Sequence, residues 1–250
     1  MIDAYLAVEG HHSGSIIAAP GCDPVTNFPQ FSYSMGQVKR AGDFLSGHVL
    51  WTPEASEEIK DMFRIANNWR DSHAYPMSRI RYEVIGLMRR IKIKGVTAAR
   101  VKRMRSIRKK LRTGIGLNRI QDLAGCRAIL PSISDVHALI DYCRANMAHE
   151  VAKESPYLAS PKVGGYRSHH IVFKFRGEGD GQAFDGRRIE LQIRSKMQHS
   201  WATAVEAVGL FRNEDLKGGV GDENWLRLFE LMSSEIAFAE GCPEVPGAPI

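Results

Sequence analysis

Arg187-Arg188-Ile189-Glu190-Leu191-Gln192-Ile193-Arg194 alternates polar and apolar side chains from its second residue onward. Ile189, Leu191 and Ile193 fall on one side of an extended chain, and Arg188, Glu190, Gln192 and Arg194 on the other. A period of two marks a strand buried on one face. Its polar face differs from the Thr, Ser and Lys of a merely solvated strand. One carboxylate sits beside an amide and between guanidiniums, which suits holding a metal and anionic groups. A solvated face remains the plainer reading of this stretch alone, so the flanking sequence has to decide.

Upstream, Gly164-Gly165 lead into a strand ending Ile171-Val172-Phe173-Lys174-Phe175, and a Gly/Asp-rich turn from Gly177 to Gly186 joins it to the quoted stretch. That arrangement predicts an antiparallel hairpin. Further strands are expected at Val96 to Val101, at Ala124 to Leu130 and near residues 149–155. Helical spacing predicts a short helix over 35–46 and a second one capped by Thr52, with Pro53 and Glu54 in its first turn. Tyr75-Pro76 should break the latter, and another helix should run over about 78–92. A basic helix is expected at 103–112, one from Ser132 or Ser134 to about Ala148, and two more at the end. Of these two, the first should turn Met197, Trp201, Ala204, Val205 and Val208 to the sheet, and the second, over 222–240, Trp225, Leu228, Phe229, Met232 and Ile236. The fold class is therefore α+β, a mixed β-sheet of about five strands flanked by helices. Residues 1–30, with His11-His12 and three prolines, read as a flexible leader, 31–240 as the domain, and 241–250 as an extended Pro-rich tail.

The chain has 250 residues, 44% of them hydrophobic, enough for a real core. No apolar run is long enough to span a membrane, and the N-terminus lacks the pattern of a secretory signal. Cys22, Cys126, Cys143 and Cys242 are scattered, without metal-ligand spacing, and predict reduced thiols in a cytoplasmic protein. Net charge is +6, but residues 84–121 hold thirteen of the 34 basic residues and none of the 28 acidic ones. All the positive excess lies there, as expected of a surface for phosphates or nucleic acid.

Three clusters could carry chemistry. Arg100-Val101-Lys102, followed by Ser106 and Lys110, would stand at a strand-to-helix junction, where backbone N–H groups favour phosphate. Asp122 precedes a buried strand containing Arg127. Gly165-Tyr166-Arg167-Ser168-His169-His170 offers close backbone approach, a stacking ring and anion-binding groups. If Asp122 and Glu190 lie on neighbouring strands they could share one Mg2+, which takes hard oxygen ligands and substrate phosphates.

In their order and spacing these motifs resemble the synthetase domain of the RelA/SpoT family. Arg100, Lys102, Ser106, Ile107 and Lys110 meet its R-x-K-x-x-x-S-I-x-x-K pattern, and Asp122 to Arg127 its D-x-x-G-x-R. Gly165 to His170 resembles G-Y-R-S-x-H, and Glu190 to Arg194, with Trp201-Ala202, resembles E-x-Q-I-R followed by W-A. The resemblance implies a nucleotidyltransferase-like synthetase fold and a GTP diphosphokinase-type pyrophosphotransferase. Such an enzyme moves the β,γ-pyrophosphate of ATP to a ribose 3′-hydroxyl of GDP or GTP, making a (p)ppGpp-type alarmone and AMP. By motif, Arg100 and Arg127 would sandwich adenine, while Lys102, Ser106 and Lys110 hold ATP phosphates. Asp122 and Glu190 would be catalytic and bind Mg2+, with Glu190 also taking the 3′-hydroxyl proton. Tyr166 would stack on the acceptor base, and Arg167, Ser168, His170, Gln192 and Arg194 would complete the acceptor site.

Other stretches are similar to a narrower branch of single-domain synthetases found as toxins, some phage-borne or fused to an antitoxin region. These are Ser34 to Gly42, Trp69 to Pro76 and Glu240 to Pro243. That resemblance implies an alternative acceptor, the 3′-CCA end of tRNA, or an adenine nucleotide, and an antitoxin protein as partner. Charge reversal at Arg103, Arg105 and Arg108, outside the ATP motif, is the expected probe for tRNA. No His-Asp metal motif precedes the synthetase region, so no alarmone hydrolase is expected. A non-catalytic RNA-binding domain would need only the basic face and leaves the carboxylates unexplained.

Overall fold

The computed structural model describes residues 25–50, 52–53 and 55–245. Most of the expected leader with His11-His12, Cys22, the first-turn Glu54 and tail residues Pro246 and Pro249 lie outside the described residues.

Five strands form one mixed sheet in the order β1-β2-β5-β4-β3: β1 (Val96–Val101), β2 (Ala124–Leu130), β3 (Glu150–Pro156), β4 (His169–Lys174) and β5 (Arg188–Ser195). The quoted stretch is β5, at the centre. It runs parallel to β2, with Gly125 opposite Glu190, and antiparallel to β4, with His170 opposite Gln192. Ile189, Leu191 and Ile193 are fully buried. Each contributes about 1.5–3 kcal/mol by that burial. A slip of one residue would turn all three outward, so their pattern fixes the register that exposes Glu190 and Gln192 on the opposite face.

Helices α1 (Met35–Ser46), α2 (Ser56–Asp71) and α4 (Met104–Leu111) share one core around Leu45, Ala66 and Ile107. Helices α3 (Ala74–Arg90) and α5 (Ile133–Asn146) cover the apolar face of the sheet. Helices α6 (Lys196–Arg212) and α7 (Glu223–Glu240) make a third core with Tyr166, Trp201 and Phe229. Ser195 ends β5 and also caps α6, its hydroxyl accepting from Gln198 N while the Gln198 side chain accepts from Ser195 N. That reciprocal cap sets the sharp turn from strand to helix.

The helix boundaries correct the sequence reading at two points. Helix α2 starts at Ser56, and Thr52 instead accepts a hydrogen bond from Ala55 N just before it. Pro76 lies inside the first turn of α3 rather than between helices. A proline is tolerated there because first-turn N–H groups have no intrahelical partner.

The faces of the last two helices also differ from expectation. Met197 of α6 is exposed, and Gln198, Trp201, Ala202, Val205 and Gly209 point inward. In α7 the buried stripe is Phe229, Ser233 and Ala237, while Leu228 and Met232 are exposed. A polar residue takes the inward place because Ser233 fastens the turn before β4. Its hydroxyl donates to Gly165 O at 2.6 Å and accepts from Arg167 Nε at 3.1 Å. No helix among the described residues is long and apolar enough to cross a membrane. Cys126, Cys143 and Cys242 are free thiols, and burial pushes the first two up to about 12.

Candidate active site

The polar face of the sheet opens into two clefts that meet. The larger, of about 820 Å3, lies among β1, β2, α4, α6 and the turn after α6. Arg100, Lys102, Ser106, Lys110 and Arg127 all line it, so the residues assigned to ATP by motif are brought together. The smaller, of about 280 Å3, is lined by Tyr157, Lys162, Tyr166, His170 and Gln192, with Lys153 at its edge. Lys110, Asp122, Glu190, Gln192 and Lys217 belong to both and form the shared wall.

Each carboxylate of that wall is held differently. Asp122 sits just ahead of β2 and takes Lys102 Nζ at 2.7 Å on one oxygen and Lys110 Nζ at 2.9 Å on both. Burial pushes its carboxyl up, but the Lys102 and Lys110 ammoniums outweigh this and hold it below the usual range. Glu190 is held from the sheet. His170 Nδ1 lies 3.1 Å from one oxygen, and Gln192 Nε2 donates to the other at 2.6 Å. Burial again pushes up, and so does the charge of Asp122, yet the His170 and Gln192 contacts leave Glu190 lowered on balance. Both carboxylates are therefore ionised at neutral pH and feel one another's charge.

Glu190 stands in the middle of a hydrogen-bonded chain across the wall. An ionised carboxylate only accepts, so His170 Nδ1 donates to it, and the other ring nitrogen, Nε2, meets the Tyr166 hydroxyl at 2.8 Å. On the other side, Gln192 Oε1 accepts from Arg127 Nε at 3.2 Å. The chain runs from the smaller cleft, through Glu190, to the larger one.

Three expected acceptor residues are not brought to the cleft surface. Arg167 is buried, bonded to Ser233 and, at 3.4 Å, to Leu158 O. Ser168 is buried and donates to Ile193 O at 3.2 Å. Arg194 is buried behind the wall, where one guanidinium nitrogen lies 2.7 Å from His199 Nδ1. These side chains hold the Tyr166 turn and β5 in place. Two of the three expected probes of the basic face also sit elsewhere. Arg105 lines the larger cleft, and Arg108 ties α4 to the end of α1 through Leu45 O and Gly47 O.

Lys217, Glu206, Tyr157 and Lys153 line the clefts without standing out in the sequence. Glu206 sits five residues beyond Trp201, a spacing that could have marked it. Lys217 lies in an irregular turn, with no periodicity to mark it.

Residues 99–215 match the model described as the region found in RelA / SpoT proteins. The chain is 28% identical over 134 residues to GTP pyrophosphokinase YwaC of Bacillus subtilis, covering 51% of this chain and 63% of that one. It is 28% identical over 155 residues to GTP pyrophosphokinase YjbM of the same organism, covering 59% and 70%. With the GTP pyrophosphokinase of Escherichia coli K12 the identity is 28% over 166 residues, only 21% of that longer protein. Among solved structures, the small alarmone synthetase 1 of B. subtilis bound to its product pppGpp superposes with a TM-score of 0.60 at 19% identity, over 70% of this chain and 92% of that one. Small alarmone synthetase 2 of B. subtilis gives 0.60 at 20%, over 70% and 94%. At such identities the structural likeness speaks for the fold. Residues 99–215, which carry the motifs, thus hold the region found in RelA / SpoT proteins.

Proposed function

We propose that the protein transfers the β,γ-pyrophosphoryl group of ATP to the ribose 3′-hydroxyl of GDP or GTP, releasing AMP. The observation that carries this reading is the shared wall: a cleft rich in Arg and Lys and one lined by Tyr157, Tyr166 and His170 meet at Asp122 and Glu190. A binding module would need one basic surface, not two clefts divided by ionised carboxylates.

In this reading the larger cleft takes ATP, with adenine between the guanidiniums of Arg100 and Arg127 and the phosphates along Lys102, Ser106 and Lys110. The smaller takes the acceptor, its base against Tyr166 and its ribose near His170 and Gln192. Glu190 receives the 3′-hydroxyl proton, the 3′-oxygen bonds to Pβ, and the bond from Pβ to the oxygen bridging it to Pα breaks, leaving that oxygen on AMP. Charge building on AMP is met by the lysines of the larger cleft. The hydrogen bonds from His170 and Gln192 aim the Glu190 carboxylate without protonating it.

The residues present fit a Mg2+ ion. Asp122 and Glu190 bring two carboxylates to one wall, where a cation would relieve their repulsion and share oxygens that now accept from Lys102, Lys110, His170 and Gln192. Bound there, Mg2+ would neutralise phosphate charge and help align the two nucleotides.

The intact Gly165-Tyr166-Arg167-Ser168 turn favours the guanine acceptor. The deciding experiment supplies γ-labelled ATP, Mg2+ and each candidate acceptor. Label is expected in a guanosine 3′-diphosphate. Label found only in bulk tRNA, and lost when the CCA end is trimmed, would reject this acceptor in favour of tRNA; label in an adenine nucleotide would reject it likewise. Exposed Arg112 and Arg119 are the better probes of a tRNA-binding face. Their reversal should leave transfer to GTP unchanged.

A further inference from the structure

Lys217 is the one residue of the shared wall that lies outside the four motifs. It stands on the turn that follows α6. Asn213 closes that helix in the left-handed conformation, and the buried Leu216 anchors the next turn in the core. The neighbouring Lys217 is thereby directed into both clefts. Its ammonium lies 5.0 Å from the centre of the Tyr166 ring and forms an ion pair with Glu206. Glu206 lines only the larger cleft, and its side chain keeps 56% of its exposure.

The charges around this lysine are unbalanced. Arg127 and Arg194 lie close enough to disfavour its charged form, beyond what burial does, and Glu206 is the anion that offsets them. A cation placed between two nucleotide clefts, among other cations and tied to a half-exposed carboxylate, is suited to exchange that carboxylate for phosphate oxygens.

We propose that Lys217 exchanges Glu206 for the pyrophosphoryl group in transit, gripping it together with Lys110 of the same shared wall as it passes between the clefts, while Glu206 competes for the lysine until phosphate arrives. The inference rests on the transfer reaction proposed above and adds to it a residue that follows the moving group. The duller role, a lysine that merely packs over Tyr166, predicts different behaviour.

The test uses the full chain with Lys217→Met, Lys217→Arg and Glu206→Gln, each checked for an unchanged thermal midpoint. Met keeps the aliphatic contact with Tyr166 and removes the charge. Inorganic pyrophosphate titrated into the protein without nucleotides should bind several-fold more tightly to Glu206→Gln and markedly more weakly to Lys217→Met. In turnover, Lys217→Met should lower kcat by roughly a hundredfold, the scale of one lost charge-stabilising donor, with the acceptor KM nearly unchanged. Lys217→Arg should restore much of the loss. Pyrophosphate affinity equal in all four proteins would overturn the proposal, as would Lys217→Met turning over at near the parent rate or losing rate only through acceptor KM. If the parent protein transfers label to no acceptor, the reaction assignment fails by itself, and the pyrophosphate titration still decides the role of Lys217.

Discussion

Gly125 lies directly opposite Glu190 in the parallel pairing of β2 with β5, so close that a Cβ there would come within 2.9 Å of the Glu190 carbonyl oxygen and 3.6 Å of its Cβ. The glycine of the D-x-x-G-x-R pattern is thus a matter of distance between strands. Gly125→Ala must push β2 from β5 and tilt the wall carrying Asp122 and Glu190. Destabilisation of about 1–3 kcal/mol is expected, the usual scale of overpacking, with a larger loss of transfer rate than of ATP binding. Urea denaturation and initial rates check both.

Glu190→Gln keeps the size and the Gln192 contact region but removes the base and the charge. Transfer should fall to background while the ATP analogue still binds, because Arg100, Lys102, Ser106, Lys110 and Arg127 of the larger cleft are unaltered. Single-turnover assays with a parallel binding titration separate the two. Near-normal turnover would remove Glu190 from the proton-accepting role.

Asp122 is the common anion of Lys102 and Lys110, and its removal leaves two ammoniums facing one another. Asp122→Asn should cost about 1–3 kcal/mol, less than a fully buried pair because all three side chains keep some solvent contact. Combined with Lys102→Met, the cost should be smaller than the sum of the two, by about 1 kcal/mol or more. Strict additivity in a double-mutant cycle would show that the pair contributes nothing.

His73 gives the protein a specific acid sensitivity. Its Nδ1 lies 2.8 Å from Trp69 O, and burial holds the imidazole down to about 3, from an ordinary 6.5. Between those values the unfolded chain takes up a proton that the folded one refuses. This contribution to stability is therefore complete above pH 6.5 and is lost as pH falls toward 3, by up to about 1.4 kcal/mol per pH unit. Urea unfolding at pH 7.5, 6.5 and 5.5 should show a shallower acid loss for His73→Gln than for the parent, whatever the offset between them at pH 7.5.

Much of this molecule is legible from period and spacing. The alternation of Ile189, Leu191 and Ile193 reports a one-sided strand because burial is decided residue by residue, and the hairpin with β4 follows from the glycines between them. Motif spacing likewise brings Arg100, Lys102, Ser106 and Lys110 to one cleft, since a strand followed by a helix leaves them on one side. Arg167, Ser168 and Arg194 escape such a reading for a physical reason. Polar side chains near a site look alike in sequence whether they face a ligand or brace the backbone behind it. The inward face of α7 escapes it because Ser233 gains more from two buried hydrogen bonds than its low hydrophobicity suggests. Lys217 carries no signal at all, being placed by the anchoring of Leu216 next to it.

The clasp that Ser233 makes on Gly165 and Arg167 sets an order of completion during synthesis. A chain emerging from its N-terminus has supplied every residue lining the larger cleft once Gly218 is out. The turn carrying Tyr166, already tied to Leu158 O and Ile193 O, gains its bonds to Ser233 only when α7 has been made and docked. Under the transfer reaction proposed above, an unfinished chain would hold all the residues of the donor cleft before the acceptor cleft is fully braced, so the side that chooses what is modified would be completed last.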